Sequence, residues 1–353
     1  MKQDNALQVY YDEKLVGTLA MTANRKAAFQ YTDEWLEHGF SISPFSLPLK
    51  KQVFVPTKDY FGGLYGVFAD SLPDNWGRLL LNRLLREHKQ DPDKLTVLDR
   101  LAIVGKSGMG ALTYYPERKF PEQQDNPDLD ELARECQKIL NTEYTDKLDE
   151  LYRLGGTSGG ARPKIMTSIG NEEWIIKFPA HVDGRNAGKM EYDYAVCAKE
   201  CQIAMSDFKL FHSDSCPGYF GTKRFDRVRD TNGMKRVNML TAAAILELDF
   251  QQPSLDYHSL MKLTKILTRN NSFDIENLYR RMCFNVYAHN RDDHSKNFSY
   301  LYDSSTDSWR LSPAYDLTFS STYYGEHTTM VDGNGRNPGM KEIVNVGVQA
   351  GMN

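Results

Sequence analysis

From position 289 to 297 the chain reads HNRDDHSKN, a run without one apolar side chain. A hydrophobic core cannot absorb such a run, because every polar group buried without a partner costs free energy. The stretch must therefore lie at a surface or line a polar site. Its flanks narrow the choice. Upstream, Ile275, Leu278, Tyr279, Met282 and Val286 recur at helical spacing, with Ser272 or Asp274 placed to cap the start. Downstream, residues 298–302 and 309–312 read as two strands about a polar turn at 303–307. An amphipathic helix thus delivers the chain into a polar loop, and a hairpin follows. Because a hairpin returns its end to its beginning, Asp316 of the segment LSPAYD is expected beside Asn297.

Asp292 and Asn297 stand at an Asp-x4-Asn spacing, and Asp316 comes later. Protein-kinase-like enzymes build a catalytic base and a magnesium site in that order. An Asn carbonyl and a carboxylate that converge suit the hard oxygen ligation of Mg2+. Asp292, offset in the loop, is placed to accept a proton from an attacking hydroxyl. The same residues allow two other readings. One is a loop whose Asp and Asn side chains cap helices and close turns. The other is a transition-metal site built from His289, Asp292, Asp293 and His294.

A second polar segment, GGTSGGARPK, ends at Lys164. It is not a Walker A loop: Lys164 follows a proline, precedes Ile165 and opens a strand. Its glycines let backbone N–H groups approach phosphates closely, though such turns also occur as plain connections. Lys177 lies inside the apolar strand WIIKF, where an ammonium needs an anion. A nucleotide's phosphates or Glu191 would serve; an edge strand facing water is the alternative. Thr157 and Ser158 place hydroxyls in the glycine-rich loop, so phosphate added there would block the cradle, unless those hydroxyls simply bond the backbone.

Elsewhere the chain alternates strands and helices. Strands are expected at 7–11, 15–19, 111–115, 165–168, 173–178 and 218–225, and helices beyond Asp74, at 95–104, at 129–151 and at 189–201, with mainly helix from 239 onward. PERKFPEQQDNPD, with its three prolines, reads as a domain boundary. A net charge of -4 gives no global electrostatic case for binding nucleic acid. Five scattered cysteines without a CxxC pair fit a reducing compartment. The polar amino terminus and the lack of a long apolar run predict a soluble, cytoplasmic chain with no membrane association.

Taken together, GLYGVFADSLPDNWGRLLLNRLL, LDRLAIVGKSGMGAL, TSGGARPK, WIIKFPA, KRFDRV, HNRDDHSKNFS and LSPAYDL resemble the HipA toxins, serine/threonine kinases of type II toxin–antitoxin systems. The resemblance covers nearly the whole chain. It implies an α+β, two-lobed protein-kinase-like fold with an extra amino-terminal subdomain, divided as 1–118, a kinase-like lobe at 119–238 and a mainly helical lobe at 239–353. ATP and Mg2+ are the implied cofactors. Asp292 would be the catalytic base, and Asn297 and Asp316 would hold the metal. Gly159, Gly160, Ala161, Arg162 and Lys164 would form the loop over the phosphates that Lys177 contacts. Lys223, Arg224 and Phe225 would line the adenine side as a hinge, while His294 and Tyr315 would help shape the site. The serine that the family autophosphorylates falls on Thr157, beside Ser158.

Implied partners are a HipB-like helix-turn-helix antitoxin and a protein substrate such as an aminoacyl-tRNA synthetase. DNA would be met only through the antitoxin. The residues after Asp316 are fewer than the helical tail usual in the family, so a reduced carboxy-terminal lobe or a shortened chain is expected. Two rival functions share these motifs: a pseudokinase-like co-repressor acting through its antitoxin, and a small-molecule or lipid kinase.

Overall fold

Alternation sets the first sheet. In β1 (Ala6–Tyr11), Leu7 and Val9 point into the core while Gln8 points out. β2 (Lys14–Met21), β3 (Ala27–Tyr31) and β4 (Leu112–Tyr115) complete an antiparallel sheet in the order β3-β2-β1-β4. Between β3 and β4 run the short helices α1 (Asp33–His38) and α2 (Gly66–Ala69), then α3 (Asn75–Glu87) and α4 (Val97–Val104). The computed structural model describes residues 5–118, 128–180, 182–231, 233–322 and 324–352. Most of the proline-rich stretch read as a domain boundary lies outside the described residues.

α3 buries Trp76, Leu80, Leu81, Leu84 and Leu85 on one face and exposes Arg78 and Arg86 on the other. Each leucine so buried contributes roughly 1.5–3 kcal/mol. That face packs against α5 (Leu129–Leu140), α6 (Leu148–Gly155) and the inner side of a second antiparallel sheet. This sheet is built from β5 (Lys164–Ile169), β6 (Glu172–Lys177), β7 (Phe208–Phe211) and β8 (Tyr219–Lys223), in the order β5-β6-β8-β7. One core therefore joins Trp76 and Leu84 to Cys136, Leu151, Ile165, Trp174 and Ile176. The single helix expected over 129–151 is two helices. Asn141 ends α5, and Thr142 then adopts φ +62, a left-handed turn that no helix can continue. The hairpin of β9 (Arg227–Asp230) and β10 (Gly233–Arg236) completes this unit, which comprises Met1–Lys189 and Lys209–Asn238.

The second compact unit comprises Met190–Phe208 and Met239–Asn353. It holds most of α7 (Ala187–Glu200), then β11 (Met239–Thr241), α8 (Ala242–Leu246), β12 (Leu255–Asp256), α9 (Tyr257–Leu267) and α10 (Ser272–Tyr287). β13 (Ser299–Asp303), β14 (Ser308–Leu311), β15 (Thr329–Met330) and α11 (Met340–Gln349) follow. Helix does not account for all of it: β11, β13 and β14 form a sheet, and β12 pairs in parallel with β15. The cap of α10 is Asn271, whose Oδ1 accepts the Asp274 N–H at 3.1 Å, rather than Ser272 or Asp274. Asp274 instead sits buried in the first turn, paired with Arg310 at 2.6 Å.

Candidate active site

In the second unit, α10 ends at Tyr287 and the chain turns sharply at His289, which has φ +51. Asn290 is buried and donates through Nδ2 to Asn285 Oδ1 at 2.9 Å and to the Asp316 carbonyl at 3.4 Å. Asp292 projects outward with its side chain about half exposed, at 51%. His294 Nε2 lies 3.9 Å from Asp292 Oδ1. The His294 Nδ1 accepts the Lys296 N–H at 3.2 Å, so a neutral ring carries its proton on Nε2, toward Asp292. A single 3₁₀ turn over residues 295–297 then brings Asn297 Nδ2 to the Asp292 carbonyl at 2.7 Å.

The β13–β14 hairpin returns the chain to this loop. Tyr315 places its hydroxyl 2.6 Å from the Lys296 carbonyl and 2.6 Å from Ser299 Oγ. Asp316 follows with φ +53, a left-handed conformation that Asp tolerates better than most residues. The segment beyond comes back too: Ser320 N–H donates to the His289 carbonyl at 3.0 Å, and Arg291 N–H to the Ser320 carbonyl at 3.2 Å.

Asp293 turns away from its neighbour. It is 1% exposed and accepts from Tyr257 Oη at 3.0 Å and from the Thr329 N–H at 3.1 Å, with His327 Nδ1 3.0 Å away. The transition-metal reading of His289, Asp292, Asp293 and His294 fails on this divergence. Among the described residues no group of three or more His, Cys, Asp or Glu side chains gathers as metal ligands do. Asn297 and Asp316 are a different kind of donor set. With Nδ2 engaged by Asp292, Asn297 has its carbonyl Oδ1 to offer a cation. A neutral amide oxygen and a carboxylate match the hard, few-ligand protein coordination of Mg2+, which keeps waters and phosphates for its other positions.

In the first unit the glycine-rich loop is closed on the start of α3. Asp74, the N-cap of that helix, accepts the Gly160 N–H, and the Trp76 N–H returns to the Gly160 carbonyl at 3.1 Å. Trp76 Nε1 reaches the Lys164 carbonyl at 3.2 Å. A Cβ on Gly77 would lie 2.7 Å from the Gly156 carbonyl oxygen, so only glycine allows this approach. Gly160 itself has φ +86. Thr157 is buried and donates to the Ser107 carbonyl at 3.0 Å, while Ser158, also buried, donates to Gly155 O at 2.6 Å. The buried Lys164 caps Gly159 O at 2.5 Å, and Ala161 and Arg162 are exposed, with Arg162 paired to Asp183 at 2.9 Å. Lys177 is half-buried, its Nζ 5.8 Å from the Phe220 ring centroid.

The residues expected to form the hinge have side-chain partners of their own within this unit. Lys223 pairs with Glu172 at 2.6 Å, and Phe225 is half-buried. Arg224 lies buried against Asp226, with Nε 2.9 Å from Oδ1 and Nη2 2.8 Å from Oδ2. The reason is physical: a buried guanidinium needs an anion, and the nearest one stands two positions away. Burial opposes the charge on Asp226, but Arg224 and then Arg227 outweigh it and bring its pKa down to about 2. The same carboxylate accepts the Gly110 N–H at 2.8 Å, and Arg227 and Arg236 hold the Gly108 carbonyl at 2.9 Å each. Asp226 thus organises the loop that presents the Ser107 carbonyl to Thr157. Sequence reading missed Asp226, although the Arg-x-Asp-Arg spacing in KRFDR signals a local charge cluster.

Residues 7–115 match the HipA N-terminal domain, and residues 156–351 match the HipA-like C-terminal domain. A curated relative, "Putative kinase Y4mE" of Sinorhizobium fredii, is 26% identical over 357 residues, covering 90% of this chain and 78% of that protein. Among solved structures, a chain of the Shewanella oneidensis complex of the toxin–antitoxin proteins HipA and HipB with operator DNA superposes with a TM-score of 0.73. It is 18% identical, with 98% of this chain and 85% of that one covered. The C-terminal match alone spans more than half of the sequence, and the superposition extends the likeness of fold to nearly all of it: the chain belongs to the HipA toxin family and has its α+β fold.

Proposed function

We propose that this protein is an ATP- and Mg2+-dependent serine/threonine kinase of a toxin–antitoxin module. One observation carries the reading. Asp292 stands exposed at the tip of a loop whose main chain is tied to Asn297 on one side, while Asn290 of the same loop reaches the Asp316 carbonyl. Base and metal-ligand candidates are thereby held in one frame, as positioning-dominated phosphoryl transfer requires.

In this mechanism Asp292 Oδ accepts the proton of the attacking hydroxyl, with His294 Nε2 nearby at 3.9 Å. Asn297 Oδ1 and Asp316 would hold Mg2+, which supplies charge neutralisation on the phosphates when bound. Backbone N–H groups of residues 159–162, with Lys164 and Lys177, would hold the phosphates themselves. Phosphorylation of Thr157 or Ser158 would require the loop to leave Ser107, Gly155 and Asp74, since both hydroxyls are buried donors. The Y4mE relative supports the kinase reading by its name, and the Shewanella complex supports a HipB-like antitoxin partner. A translation component such as an aminoacyl-tRNA synthetase is the substrate we favour.

Incubating the purified chain with labelled ATP and Mg2+, alone and with a cell lysate, tests the proposal. Label on this chain or on a lysate protein, absent with Asp292→Asn, is expected. Label confined to small molecules or lipids would replace the protein acceptor, and no label in any arm would overturn the enzyme reading.

A further inference from the structure

The second aspartate of the loop takes no part in that chemistry, yet it is the more deeply buried of the two. Its contacts come from distant sequence. Beyond the Tyr257, His327 and Thr329 N–H contacts on its carboxylate, its main-chain carbonyl accepts Thr329 Oγ1 at 2.5 Å. On the other side of Asp292, the Arg291 carbonyl accepts Thr328 N–H at 3.1 Å and Thr328 Oγ1 at 3.0 Å. Consecutive residues of one segment therefore grip both neighbours of Asp292. Behind the grip, Tyr257 Oη accepts Asn285 Nδ2 at 2.9 Å, and Asn285 continues through Asn290 to the Asp316 carbonyl. A buried polar chain thus runs from Asp293 to the backbone of Asp316.

We infer that Asp293 and His327 are positioning residues: together they clamp residues 327–329, which follow Asp316, onto the loop and so fix where Asp292 stands. The inference rests on the kinase reading above. Its physical basis is that a base misplaced by ~1 Å costs about 10²-fold in rate, and a side chain left exposed at a loop tip is placed only by its backbone. The clamp is made of neutral donors, an imidazole and one carboxylate, and it needs no added phosphate to order the segment.

The test compares His327→Ala, His327→Gln and Asp293→Asn with the wild-type chain, reading ATP turnover and amide hydrogen exchange at residues 328–331. His327→Ala is expected to lower kcat by about 10- to 100-fold, with KM for ATP within about threefold and faster exchange at 328–331. His327→Gln, which keeps a donor for Asp293, should recover part of both. Asp293→Asn should raise exchange at Thr329 and lower kcat in the same direction. Unchanged kcat and exchange in all three, or a loss that glutamine does not relieve and that tracks a fall in melting temperature, would overturn the clamp. If the wild-type chain transfers no phosphate, the kinase reading falls by itself. Exchange then decides the clamp alone: faster exchange in His327→Ala than in His327→Gln upholds it, and equal exchange refutes it.

Discussion

The glycine-rich loop and the loop at 289–297 are both polar turns, but they are held by different means. In the first, each tether is a separate hydrogen bond: Thr157 to Ser107, Ser158 to Gly155, Gly160 to Asp74 and Trp76. Such bonds are worth about 0.5–1.5 kcal/mol net, and each can break without stranding the others. In the second, three of the tethers converge on one buried carboxylate, so losing Asp293 leaves Tyr257, His327 and Thr329 unsatisfied together. Each stranded donor costs about 1–3 kcal/mol. The glycine-rich loop can therefore open while its unit stays folded, whereas the loop at 289–297 moves only with its surroundings.

Substitutions can break this contrast. The largest effect belongs to Asp292→Asn, which should cut phosphate transfer by about 10²–10⁴-fold. Because that side chain is half exposed, its urea midpoint should shift by no more than about 0.5 kcal/mol of stability. A large loss of stability would mean that the base belongs to the buried network after all. Next comes Asp226→Ala, which strands Arg224 and releases the Gly110 amide. A cost of about 3–5 kcal/mol in equilibrium unfolding is expected, as for other broken buried pairs.

The same aspartate gives a pH signature. Its pKa of about 2 lies below the ordinary unfolded value of ~3.9. Its contribution is therefore fully present above about pH 4 and lost as pH falls toward 2. The loss should reach about 2 kcal/mol and be absent from Asp226→Asn. The smallest change sharpens the contrast most: Thr157→Val should cost about 1 kcal/mol or less. It should also speed amide exchange through residues 156–161 and leave exchange at 290–297 untouched.

How much of this was readable beforehand follows from how far apart the partners lie. The helix into the loop, the hairpin after it and the glycine-rich turn each depend on spacing within about twenty residues, and local spacing is what a sequence displays. The split between α5 and α6 was hidden because Thr142 carries the left-handed turn where a glycine would have announced it. Asn271 was passed over as a cap because two other capping residues stand within three positions of it. The partners of Asp293 lie 36 and 34 residues away, so nothing local distinguishes it from Asp292. The pairing of Arg224 with Asp226 went unread because no periodicity says which way either side chain turns.

The left-handed backbone at Asp316 also limits which substitutions this position can accept. Few side chains other than glycine, asparagine and aspartate accept that conformation cheaply. Bulky or branched replacements would damage the fold and expose the chain to proteolysis. Asparagine fits the same backbone, lacks the carboxylate charge that the proposed metal site would use, and lies one nucleotide change from aspartate in either codon. Under the proposed kinase reading, the easiest loss of activity at this position is thus a folded, inert copy that still presents its surfaces, a form selection could retain as a competitor rather than discard.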